Sequence, residues 1–194
     1  MKKNLLCAAL LVAGISTAHA QPTTWDFTYQ GFVDATTGVF HSGMKLVGSF
    51  VGEDSNLDGV IAFDELSYFS SGYYQFLPDM PAGGFGCNTS SYLRCEVKDF
   101  SYTLTGKLRY ETWTFGNDEG SMSWYSQDVV GSHLLSGGSD FMRDTRWENR
   151  YNWSDQTTFT ISPAPVPEPT VALMLPAGLA LMYLARTRRR KTAV

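Results

Sequence analysis

A two-residue alternation that recurs along the middle of this chain limits its possible architectures more than any other feature. From Phe100 to Glu111 the even positions are Phe100, Tyr102, Leu104, Gly106, Leu108 and Tyr110, all apolar or small. The odd positions are Ser101, Thr103, Thr105, Lys107, Arg109 and Glu111. Side chains of an extended strand point alternately to its two faces, so the segment reads as a half-buried strand, with Gly106 marking a bend or bulge. Trp25, Phe27 and Tyr29 alternate likewise, as do Met44, Leu46, Gly48 and Phe50, and Phe159 with Ile161. Trp147, Asn149, Tyr151 and Trp153 share one parity, and Asp144, Arg146, Glu148 and Arg150 the other, which predicts a core face backed by a charged face. Turn-forming clusters fall at 81–86, 116–120 and 136–140. An aromatic share of 14% and 18 glycines suit strands and turns better than helices. The expectation is a mainly β fold: a single antiparallel β-sandwich or barrel-like domain over residues 21–162, without internal linker or repeat.

Both ends are organised differently. Lys2 and Lys3 precede an apolar run from Leu5 to Ile15, and Ala18, His19 and Ala20 supply a small–x–small pattern. Residues 1–20 therefore read as a secretory signal peptide, cleaved before Gln21. Cys7 lies too early for a lipid-anchor cysteine. At the other end prolines stand at 163, 165, 167 and 169, which favours an extended segment. An uncharged stretch follows to Ala185, short but sufficient for a transmembrane helix over about 170–185. Arg186, Arg188, Arg189, Arg190 and Lys191 close the chain and should stay cytoplasmic while the signal peptide sends the domain outward.

The Pro167-Glu168-Pro169 triplet, the short apolar helix and the terminal basic cluster, in that order, resemble the PEP-CTERM sorting signal. The resemblance covers residues 163–194. It implies processing by an exosortase, a membrane-embedded cysteine protease of Gram-negative bacteria. It also implies a destination at the cell surface or in the extracellular matrix of organisms that make exopolysaccharide.

One motif carries chemistry. Asp54, Asn56, Asp58, Gly59 and Glu65 stand at positions 1, 3, 5, 6 and 12 of an EF-hand-like calcium loop, 54–65. Calcium takes six to eight hard oxygens, and this spacing offers side chains from Asp54, Asn56 and Asp58, the Val60 carbonyl, and both carboxylate oxygens of Glu65. Ala62 at position 9 leaves room for water, and apolar Ile61 at position 8 would pin the loop to a neighbour. By this chain's own residue frequencies the pattern arises by chance in roughly one such chain in 3,000. The flanks depart from a paired EF-hand. Gly48 to Gly52 reads as strand and turn, and Glu65 to Phe69 as one helical turn at most. An unpaired loop implies a weak, structural site, with a Kd on the order of 10⁻⁴–10⁻³ M.

In an exported protein the remaining cysteines, Cys87 and Cys95, read as a disulfide, stabilising by about 2.5 kcal/mol on the chain-entropy model. His41 and His133 sit in no zinc motif, and the chain has neither a Gly-x-Ser-x-Gly elbow nor a phosphate loop. Trp113 and Phe115 fall on the polar parity of the Phe100 strand, and a bulge near Glu111–Thr112 is expected to return them to the core. The arginines among Trp147, Tyr151 and Trp153 have acidic neighbours, so nucleic acid is not an expected partner. Residues 21–162 hold eight basic and eighteen acidic residues, a net charge of −10 that repels polyanions unless calcium bridges them.

The functional expectation is a non-enzymatic protein exported through transient inner-membrane anchoring to the surface or matrix of a Gram-negative bacterium. It would bind one structural Ca2+, with signal peptidase and exosortase as processing partners. The alternatives are a carbohydrate-binding module that stacks exposed aromatics on exopolysaccharide, or a polysaccharide-modifying enzyme with carboxylates about 5–9 Å apart.

Overall fold

β1 (Thr23–Asp34) and β2 (Phe40–Gly52) form a long hairpin paired from Thr23 and Gly52 to Val33 and Phe40. Its alternation is the one read from sequence: Trp25, Phe27, Tyr29, Leu46 and Phe50 are buried. The computed structural model describes residues 22–77, 87 and 92–164. The signal peptide, the sorting triplet, the 170–185 helix and the basic cluster lie outside them. Among the described residues no helix is long and apolar enough to cross a membrane.

The remaining strands are β3 (Val60–Ala62), β4 (Leu66–Ser71), β5 (Tyr74–Leu77), β6 (Leu93–Thr103) and β7 (Lys107–Asn117), then β8 (Met122–Val129), β9 (His133–Asp140), β10 (Thr145–Asn152) and β11 (Thr158–Ser162). They make one antiparallel sheet in the order β3-β6-β7-β8-β9-β10-β1-β2-β4-β5, with β11 also paired to β1. The expected sandwich or barrel is thus one continuous sheet, curled until β1, β2 and β4 face β6 and β7. Ring contacts across that gap define the core: Trp25 with Tyr102, Phe27 with Tyr110, Phe50 with Phe100, and Phe69 with Tyr110, at centroid separations of 5.2–5.6 Å. Such pairs contribute about 0.5–1.5 kcal/mol each beyond their buried area.

Three expectations are corrected. The strand read from Phe100 to Glu111 is a hairpin that folds back between Thr103 and Lys107, with Gly106 at φ +101°. The three-residue loop keeps the parity, so Phe100, Tyr102, Leu108 and Tyr110 still share the buried face, and the alternation alone hides the reversal. The cluster 136–140 is not a turn but the second part of β9. β10 has a core face only at its end. Trp153 just beyond it packs on Tyr29 and Phe32, whereas Trp147 is 44% exposed. The reason is register: β10 meets β1 only at Tyr151 and Asn152, so its first residues extend past the end of β1.

Candidate metal centre

The chain leaves β2 at Gly52 on one side of the core and enters β3, which pairs with the edge of β6 on the other side. A single 3-10 turn, Phe63–Glu65, then returns it to β4 beside β2. The segment 54–65 is therefore a bracket between the two facing parts of the sheet. Ile61 anchors it with no exposed surface, as its position in the motif implies. Leu104 donates its N–H to the Gly59 carbonyl at 2.9 Å, tying the bracket to the β6–β7 turn. The helical turn expected after Glu65 lies inside the loop instead, and β4 begins at Leu66.

Asp54, Asn56, Asp58 and Glu65 come together in one hydrogen-bonded ring. Asp54, 8% exposed, accepts the Asp58 N–H on Oδ1 at 3.1 Å and the Gly59 N–H on Oδ2 at 2.9 Å. Asn56 Oδ1 accepts the Asp58 N–H at 2.9 Å, and its Nδ2 donates to Asp58 Oδ2 at 3.1 Å. Asp58 Oδ1 accepts the Val60 N–H at 2.8 Å. Glu65 reaches back across the loop. Its Oε1 accepts the Ser55 hydroxyl at 2.7 Å and the N–H groups of Ser55 and Asn56 at 2.9 and 3.3 Å, and its Oε2 accepts the Ala62 N–H at 3.1 Å. These bonds, the Ser55 hydroxyl foremost, hold the Glu65 carboxyl below the usual carboxylate range. Gly59 has φ +81°, the sharp turn for which the sequence reserves a glycine, and exposed Leu57 is also left-handed at φ +62°.

Chemically the ring supplies hard oxygens only, as calcium requires. An ionised carboxylate has about four acceptor sites, and Asp54 and Asp58 each spend two on these bonds. Glu65 Oε1, with three donors, is the most engaged oxygen. Among the described residues no three His, Cys, Asp or Glu side chains already form a metal-holding group. Ser55 is the participant that the motif does not name. A hydroxyl beside an acidic first position was its only trace in the sequence.

Elsewhere, Cys87 and Cys95 are bonded, with Cα atoms 5.2 Å apart and Cys87 buried. Trp113 and Phe115 do not return to the core. The extra residue of the bulge is on β6, between Val97 and Asp99, so β7 runs unbroken and buries Thr112 and Thr114. Trp113 and Phe115 stand half-exposed on the opposite, polar face. Sequence reasoning also missed a buried polar chain. Ser71 Oγ donates to Asp128 Oδ2 at 3.0 Å and lies 2.9 Å from the Tyr110 hydroxyl. Burial raises the Asp128 carboxyl to about 6, against a lowering by the Ser71 bond, and pushes Tyr110 well up. His41 is exposed and His133 half-buried at a strand start, with desolvation lowering the latter's pKa. Comparison with protein-family models, curated proteins and solved structures finds no match to this chain.

Proposed function

We propose that this chain is an exported, non-enzymatic surface or matrix protein whose β domain is braced by one calcium ion in the 54–65 bracket. The observation that carries the calcium reading is the ring of Asp54, Asn56, Asp58 and Glu65 at the crossing between the facing parts of the sheet. Asp54, Asn56, Asp58 and Glu65 side chains with the Val60 carbonyl would hold the ion, and the backbone donors keep the carboxylates pointed into the loop. The ion would neutralise three clustered carboxylates and fix the bracket, a structural rather than a switching role. A site of 10⁻⁴–10⁻³ M affinity at about 10 mM calcium stabilises the fold by roughly 1.4–2.7 kcal/mol. Melting the full-length chain in calcium and in chelator should therefore show a higher Tm in calcium, and the difference should vanish in Glu65→Gln. Equal melting curves would remove the calcium reading.

Export rests on the two terminal signals, and the chain supports it further by carrying its −10 charge between them. Intact mass and fractionation of the protein from its host should find cleavage before Gln21 and a second cleavage near Pro167-Glu168-Pro169. Glu168→Ala should block the second cleavage. Unchanged C-terminal processing in that variant would sink the sorting reading.

A further inference from the structure

The solvent-facing side of β7 to β10 carries a feature that the calcium reading leaves unused. Its registers align Phe115, Tyr125, Gly137 and Glu148 in one row across four strands. Tyr125 lies across Gly137: a Cβ there would sit 2.4 Å from the phenol oxygen and 2.5 Å from its ring carbon. The ring thus occupies the space of the missing side chain, and its hydroxyl donates to Glu148 Oε2 at 2.6 Å. The next row holds Ser123, Ser139 and Arg146, with the two serine hydroxyls 2.9 Å apart. Beside these rows is an open depression of about 530 Å³, lined by Tyr125, Glu148, Arg146 and the two serines together with Gly138 and Trp147. On the far side of Tyr125, the rings of Phe115 and Trp113 are parallel within 8° at 6.1 Å. Beside them Gln127 donates its amide to Glu111 at 3.0 Å.

We propose that this face binds a neutral glycan, with one sugar ring in the depression against Tyr125 and the chain continuing over Phe115 and Trp113. The chemistry selects that class. A pyranose presents an apolar C–H face to an aromatic ring and a rim of hydroxyls that both donate and accept. The depression answers with donors on Arg146, an acceptor on Glu148 and two hydroxyls that are either. Arg146 and Glu148 offset one another in charge, so the site does not select an ion. The −10 charge of residues 21–162 repels a polyanion. Gly138, Ser123 and Ser139 keep the lining of the depression small, whereas larger side chains would fill it. The proposal is independent of the calcium loop and gives the carbohydrate-binding alternative a location.

The test is calorimetric titration of the full-length chain, in detergent micelles, with cellohexaose, laminarihexaose and β-1,4-mannohexaose, and with a hexauronate from alginate as the charged arm. At least one neutral hexaose should bind, with affinity lowered at least about fivefold by Trp113→Ala and by Tyr125→Ala. Tyr73→Ala, at a fully exposed tyrosine in the β4–β5 turn, should change it less than about twofold. Should Tyr125→Ala fail to fold, Arg146→Ala and Glu148→Gln at the rim carry the same fivefold expectation. Binding of no neutral hexaose, binding of the hexauronate alone, or binding that survives the face variants would each overturn the proposal. So would a dimer in sedimentation that Trp113→Ala dissolves, because the face would then belong to a second copy.

Discussion

Gly48 lies opposite Phe27 in the β1–β2 hairpin, where a Cβ would stand 2.3 Å from the Phe27 ring and 2.4 Å from the Ser70 carbonyl oxygen. The ring is in the core and the carbonyl is backbone, so neither gives way freely. Gly48→Ala should cost about 2–3 kcal/mol in urea unfolding, at the upper end of overpacking effects, and a cost under about 0.5 kcal/mol would mean that Phe27 repacks. Asp128 makes a second residue-level prediction through pH. Its folded pKa, about 6, lies above the unfolded value, so the protonated form is favoured in the fold. The stability this confers is present below the unfolded pKa and is lost as pH rises toward and through 6. Asp128→Asn should remove that pH dependence and raise stability at pH 7 by about 1–3 kcal/mol, since the amide oxygen can still accept from Ser71. A flat pH 4–7 profile in the unmodified chain would contradict it. Neither residue announces its role in the sequence. Gly48 and Asp128 depend on which strands face one another, and that is set by long-range pairing rather than by local pattern.

At the scale of elements, legibility followed periodicity and failed where chain direction changed. The buried faces of β1, β2, β6 and β7 were readable because each keeps a two-residue period. The β6–β7 reversal was not, because a loop of odd length joins Thr103 to Lys107 without disturbing that period. Gly137 and Gly138 read as turn residues, yet they sit mid-strand because Tyr125 and Trp147 lie across them. The 54–65 bracket is the reverse case. Its spacing was legible residue by residue, while its place between the facing parts of the sheet, and the help of Ser55, came only with the fold. Acid should loosen this element. The Glu65 pKa is lowered in the fold, so its contribution is present above the unfolded pKa and lost as pH falls through the folded value. The Cys87–Cys95 bond holds a second crossing, from beyond β5 to β6. Replacing both cysteines by serine should lower unfolding stability by about 2.5 kcal/mol, and an unchanged midpoint would assign the bond no part in the stability of the fold.

For the whole molecule, the registers fix which features share an end. Thr23 pairs with Gly52 and Asp26 with Ser162, so the 54–65 bracket lies beside both the start and the end of the domain. The β9–β10 turn lies at the other end, with Phe141 and Met142 at 60% and 83% exposure. A domain tethered through its C-terminal stalk would thus carry the bracket next to the tether, where it closes the curled sheet at the point of attachment. The face proposed for a glycan runs along the side of the same sheet and is free in that arrangement. Whether the 54–65 bracket holds calcium is read by calorimetric titration of calcium into the full-length chain. One site per chain is expected, with a Kd on the order of 10⁻⁴–10⁻³ M, abolished by Glu65→Gln and not reproduced by magnesium. Absence of calcium heat in the unmodified chain, or equal binding in Glu65→Gln, would contradict it.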